Sequence, residues 1–220
     1  MSTEEEKGDA RAGKMVQVWD PVVRLFHWSL VVAFTVAYFS AEEESMVHIY
    51  AGYIVLALIV VRVIWGVVGS RYARFADFVR PPGEVFAYLR GLVSGKPRHY
   101  LGHNPAGGWM IIALLVGLFV VTLSGVMLDT AEGGVFTAAA GSNGGAVIAT
   151  ARAEEGEYGE AGERGEGGEG GEEFWEEVHE VSTNATLFLV FLHIAGVIVS
   201  SRLHRENLVR AMVTGRKHRA

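Results

Sequence analysis

The chain has 220 residues, half of them apolar and 20% charged, with a formal net charge of −6. The apolar residues fall in blocks: Trp109 to Leu128 is twenty residues without a charge, and Ile49 to Gly69 is twenty-one interrupted only by Arg62. Runs of that length match the ~20 residues a bilayer core demands of a helix, which excludes a water-soluble globular fold. The chain has no cysteine, so disulfides, iron–sulfur clusters, thiolate zinc sites and thioether-linked haem are excluded together.

Residues 1–20 are polar and charged and do not read as a secretory signal peptide. Four spans are expected after them: about Val22 to Ala41, His48 to Gly69, Trp109 to Leu128, and roughly Val178 to Ser201. The fourth contains Thr183, Asn184, Thr186 and His193, so one side of it should face protein or a cofactor. Charge orients them. Arg62 to Ala106 holds seven Lys or Arg against two acids, and Arg202 to Ala220 holds six bases against one acid. Glu42 to Glu44 and then Asp129 to Glu180, with fourteen acids against two Arg, lie on the other side. The positive-inside rule therefore puts both termini and the middle loop in the cytoplasm and the acidic segments outside. Between the third and fourth spans, Ala131 to Ala153 is rich in small residues, and Glu154 to Glu173 repeats Gly and Glu with little to bury. The latter is expected to be disordered or only partly ordered. On the inner side, Val85, Phe86, Leu89 and Leu92 share a helical face, which suits a helix on the membrane surface and equally an ordinary loop helix.

Four of the eight histidines, His27, His48, His179 and His193, lie in or at the edge of spans, where an ionisable group is costly. One alone would read as a packing residue; the set carries the argument. His179 and His193 are fourteen residues apart, which returns to within about 40° of one helix face after a rise of ~21 Å. Depth then assigns partners. The first helix enters from the cytoplasm, so His27 lies near the inner surface with His193, and His48 lies near the outer surface with His179. Two facing imidazoles between helices suit a low-spin haem iron with two axial ligands. Zinc or copper would want more ligands, and a proton relay would want carboxylates at mid-depth. Gly52 and Gly196 follow His48 by four residues and His193 by three, leaving room for a flat ring or serving helix packing. Arg24 and Arg62, near the inner ends of their helices, suit haem propionates or, equally, snorkelling to lipid phosphates.

Arg24-Leu-Phe-His27-Trp28, His48-x-x-x-Gly52, and His179-Glu180 with His193 fourteen later resemble the prokaryotic cytochrome b561 family and the related b-type cytochrome subunits of nickel–iron hydrogenases. The resemblance covers about Val18 to Met212. It implies an all-α membrane protein, a four-transmembrane-helix bundle holding two non-covalent b haems and moving electrons between membrane quinone and a redox partner. By motif, His27 and His193 would ligate the inner haem and His48 and His179 the outer one. The organisation expected is a cytoplasmic segment 1–20, a cytochrome domain 21–202 with an acidic outer loop 130–177, and a basic cytoplasmic tail 203–220. The bacterial inner membrane is the implied location. The Gly/Glu segment departs from the family pattern; it is either a solvated spacer or an acidic patch that attracts a basic c-type cytochrome. Two other readings stand beside this one: the anchor subunit of a larger hydrogenase or dehydrogenase complex, and a haem-free transporter. Nothing in the sequence suggests nucleic-acid binding. His99, His103 and Asn104 are read as a solvated loop rather than a quinone pocket, and His204 and His218 as lipid-facing or solvated.

Overall fold

A computed structural model describes residues 15–41, 45–95, 98, 100, 102–131, 134 and 169–218. A short strand β1 (Met15–Gln17) precedes helices α1 (Pro21–Phe39) and α2 (Met46–Val68). Two shorter helices follow, α3 (Phe75–Phe78) and α4 (Pro82–Val93), then the long α5 (Pro105–Ala131) and α6 (Glu169–Leu203). Helix α7 (Leu208–Thr214) and strand β2 (Arg216–His218) end the chain. Four helices, α1, α2, α5 and α6, are long and apolar enough to cross a membrane, with mean hydropathy between 1.6 and 2.7. Their large apolar side chains, among them Leu25, Phe39, Ile54, Ile64, Phe119, Phe188 and Phe191, are exposed. Such an outward apolar surface is stable in lipid, not water. The chain is a multi-pass membrane protein.

Helix starts follow local chemistry. The Asp20 carboxylate accepts from the Val23 N–H at 2.9 Å just before Pro21 opens α1. The Asn104 side chain accepts from the Gly107 N–H at 2.7 Å where Pro105 opens α5, and Asn207 does the same for the Arg210 N–H at 2.7 Å in α7. Helix α6 starts well before the expected Val178. Its register continues into the acidic segment because Glu172, Glu173, Glu176 and Glu177 are good helix formers that need bury nothing. Within the segment expected to be disordered, Glu169 to Glu173 is helical, and the rest lies outside the described residues. Helix α4 buries Tyr88 and leaves Phe86, Leu89 and Val93 exposed, one apolar stripe at helical spacing.

The chain divides into two compact units. One contains residues 1–32, 57–116 and 187–220, the other 33–56 and 117–186. Each of the four long helices contributes a part to both. In the first unit the basic tail is folded. Strand β2 pairs antiparallel with β1, with Met15 opposite His218 and Gln17 opposite Arg216. The N–H groups of Val18 and Trp19 donate to the Gly215 carbonyl at 2.9 and 3.2 Å. Gly215 ends α7 at φ 79°, a conformation glycine adopts without steric cost. Lys217, in the basic tail, is buried and pairs with Glu206 at 3.5 Å. Burial pushes its pKa down, and Glu206 partly offsets that. In the second unit α5 and α6 approach closely: a Cβ on Gly117 would lie 2.6 Å from Thr186 Oγ1.

Candidate functional site

In the second unit His48, on the first turn of α2, and His179, on α6, bring their ring centroids to 6.0 Å with planes at 75°. Both line a cavity of about 590 Å³, within the range of cofactor-sized pockets. Gly52, Tyr53, Thr183, Asp129, Glu176 and Glu180 also line it. Each ring is anchored through Nδ1. His48 Nδ1 lies 2.8 Å from the Ala37 carbonyl in the last turns of α1. His179 Nδ1 lies 3.0 Å from the Val121 carbonyl and 3.1 Å from Ser124 Oγ on α5. A carbonyl takes only a donor, so Nδ1 of both rings carries the proton, and Nε2 of both keeps a free lone pair. Ser124 is fully buried and its hydroxyl donates within its own helix, to the Val120 carbonyl at 2.9 Å. Gly125 makes this approach possible, since a Cβ there would stand 3.2 Å from the His179 ring. Near the same cavity the Tyr53 hydroxyl donates to Asp129 at 2.7 Å.

In the first unit His27 and His193 are both half-buried. His27 meets Trp28 edge-on at 5.2 Å, and its Nδ1 is buried without a partner. Arg24 donates through Nη2 to the Val213 carbonyl, while its Nε is buried and unpartnered. Arg62 is only 3% exposed, so it does not snorkel to lipid headgroups. Its guanidinium lies 5.0 Å from the Phe75 ring and 5.9 Å from that of Phe78, and Nη1 has no partner. Asp20 belongs to the same region. Burial pushes its carboxyl up, but donors from Ser70, the Val22 and Val23 backbone and Trp65 outweigh this and hold it below the usual carboxylate range. Gly52 and Gly196 both have open space where a Cβ would be.

His103 corrects the expectation of a solvated loop. Its ring packs 4.4 Å from Trp19 and 4.7 Å from Phe78, and its Nδ1 is buried without a partner. Burial, together with the charges of Arg62, Lys217 and His193, pushes its pKa down to about 3. Asn104 is a helix cap. His99 lies outside the described residues.

A profile of the prokaryotic cytochrome b561 family matches residues 18–215. The chain belongs to that family. No curated protein and no solved structure matches it. Membership of the b561 family makes the chain a membrane b-type cytochrome that transfers electrons and binds b-type haem. The residues present fit that group. Two imidazoles holding one iron between them, at a bond of ~2 Å each and about 1 Å from nitrogen to ring centre, would have ring centres roughly 6 Å apart. The His48–His179 separation has that value. Among the described residues no three His, Asp or Glu side chains converge to hold a bare metal ion. A haem iron needs only two protein ligands, because the macrocycle supplies the rest. Sequence reasoning missed Ser124, Gly125 and the Tyr53–Asp129 pair. The first had a readable signal, since a serine inside an apolar span must find a partner.

Proposed function

We propose that this b561-family protein is a di-haem cytochrome of the bacterial inner membrane, with both termini cytoplasmic. His48 and His179 ligate the outer haem and His27 and His193 the inner one. It passes electrons between membrane quinone and a redox partner, for which a basic periplasmic c-type cytochrome suits the acidic outer segments. The observation that supports this most is the His48–His179 pair, two imidazoles with ring centres 6.0 Å apart that both line a cofactor-sized cavity and would hold a haem iron between them. Haem, when bound, supplies a one-electron ferric–ferrous couple.

The remaining work falls to the chain. The Ala37 and Val121 carbonyls fix the tautomer and direction of their rings, a supporting shell worth 10–100-fold in metal affinity at known sites. Gly125 leaves room for the His179 ring, and Gly52 keeps the cavity wall thin. Arg24 and Arg62, each with a buried unpartnered nitrogen, suit the carboxylates a b haem carries. The fourteen acids of Asp129 to Glu180 raise the local concentration of a cationic partner and speed its encounter.

The test is a haem count with ligand variants. Wild type should contain two low-spin haems per chain by pyridine haemochrome. His179→Ala and His193→Ala should each cost one low-spin haem and leave the other. One haem per wild-type chain, or loss of both signals from a single well-folded variant, overturns the assignment.

A further inference from the structure

Helix α4 joins two spans on the membrane side that carries both termini, since α2 ends at Val68 and α5 begins at Pro105. Its apolar residues form two triads with the same i, i+3, i+7 spacing. Tyr88 is buried, with Val85 and Leu92 half-buried beside it, so that face packs on the protein. Displaced by one residue, Phe86, Leu89 and Val93 are exposed, Phe86 by 72% and Val93 by 92%. At ~100° per residue the exposed triad covers about 60° of the helix and adjoins the packed one. Its far edge is basic. Arg90 stands about 40° beyond Phe86 by the same geometry, and Arg80 lies just before the helix; both are exposed. Glu84, the acid of the first turn, is about 160° round from Phe86. Among the described residues neither arginine pairs with a carboxylate, and Asp77 is taken by Arg74 at 2.9 Å.

Trp109 sets the depth. Its indole N–H donates to the Arg80 carbonyl at 2.9 Å from the start of the apolar run of α5. A tryptophan exposed at the end of a span belongs to the headgroup boundary, where its ring is apolar and its N–H finds a partner. The entry to α4 is therefore held at that boundary. Helix α7, in the same unit, repeats the pattern: Val209 and Val213, four residues apart, are exposed, and Arg210 is exposed beside them.

We propose that α4 is an interfacial helix and a binding site for anionic phospholipid. Phe86, Leu89 and Val93 seat at the boundary of headgroups and acyl chains, and Arg80 and Arg90 hold the phosphates above them. Lipid fits better than a protein partner for two reasons. Both ends of α4 are tied to spans at the depth where an apolar stripe meets acyl chains, and its free basic edge matches a negatively charged leaflet. In the orientation proposed above that leaflet is the cytoplasmic one. Neither the number of haems nor the redox partner enters the inference.

The chain has no cysteine, so single cysteines report from one place. Full-length holoprotein with Phe86→Cys, Val93→Cys or Ala87→Cys, each retaining the wild-type visible spectrum, is labelled with bimane and reconstituted in vesicles. Bromine on a lipid chain quenches bimane on contact. In brominated phosphatidylcholine the two stripe positions should lose most of their emission, and Ala87, about 100° round on the polar side, should lose little. A minor fraction of brominated phosphatidylglycerol in phosphatidylcholine should quench the stripe about threefold more than the same fraction of brominated phosphatidylcholine, because each arginine near the surface draws anionic lipid. Arg80→Gln with Arg90→Gln should bring that ratio close to one. Stripe labels quenched no better than the Ala87 label overturn the inference, whether water, a second copy or another protein covers the stripe. Equal quenching by the two minor lipids, or a preference that survives loss of both arginines, overturns the anionic site.

Discussion

His103 offers a sharp test of the inner polar cluster through the pH dependence of stability. Its pKa falls from 6.5 to about 3 in the fold, because burial and the charges of Arg62, Lys217 and His193 disfavour the imidazolium. The folded protein thus holds this ring neutral while the unfolded chain protonates it below pH 6.5. A depressed histidine contributes stability that is complete above pH 6.5 and is lost as pH falls from there toward 3. At pH 4.5, two units below the unfolded value, the loss is about 2.7 kcal/mol at 1.36 kcal/mol per unit. The ring is partly exposed to solvent, which lowers this to about 1–2 kcal/mol. For a chain of this length that is roughly 2–8 °C in melting temperature. His103→Phe keeps a flat apolar ring between Trp19 and Phe78 and removes the proton site. Melting curves in detergent at pH 7 and pH 4.5 should show wild type losing those degrees relative to the variant, with effects of all other groups cancelling. Parallel losses in both proteins would refute a His103 held neutral by the fold.

Gly125→Val places a branched side chain where even a Cβ stands 3.2 Å from His179. It should abolish the low-spin signal of one haem while the helical circular dichroism stays unchanged, and a full low-spin complement would contradict the close approach. Orientation is checked by single cysteines: one near Gly168 should react with an impermeant reagent added outside intact cells, and one near Ser94 should not. The opposite pattern would exchange inner and outer throughout.

The spans were legible because lipid imposes a length and a composition together, and α2 and α5 meet both without ambiguity. The approach of His48 to His179 was legible for a related reason: residues at one depth on facing helices have few other polar partners. The anchors of those rings were not. Ala37 and Val121 act through backbone carbonyls, which every residue carries, so no side chain marks them. The β1–β2 pairing joins segments about two hundred residues apart, and three-residue strands carry too little alternation to specify register. This pairing folds the tail back onto the start of the chain, where Lys217 is buried.

His103 failed for the same reason at shorter range. A loop of Gly, His and Asn reads as solvated until Trp19 and Phe78, from two other segments, close on the ring from either side. Arg62 is the instructive contrast. A single guanidinium in a twenty-one-residue apolar run was visible from composition alone, and cost made it a functional candidate. Composition could not say whether it escapes to the headgroups or stays inside. That was decided by Phe75 and Phe78, whose faces accept the cation and allow it to remain buried. A charge retained inside at that cost, with one nitrogen left unpartnered, suits the haem carboxylates proposed above better than plain packing, because leucine would pack there without the penalty.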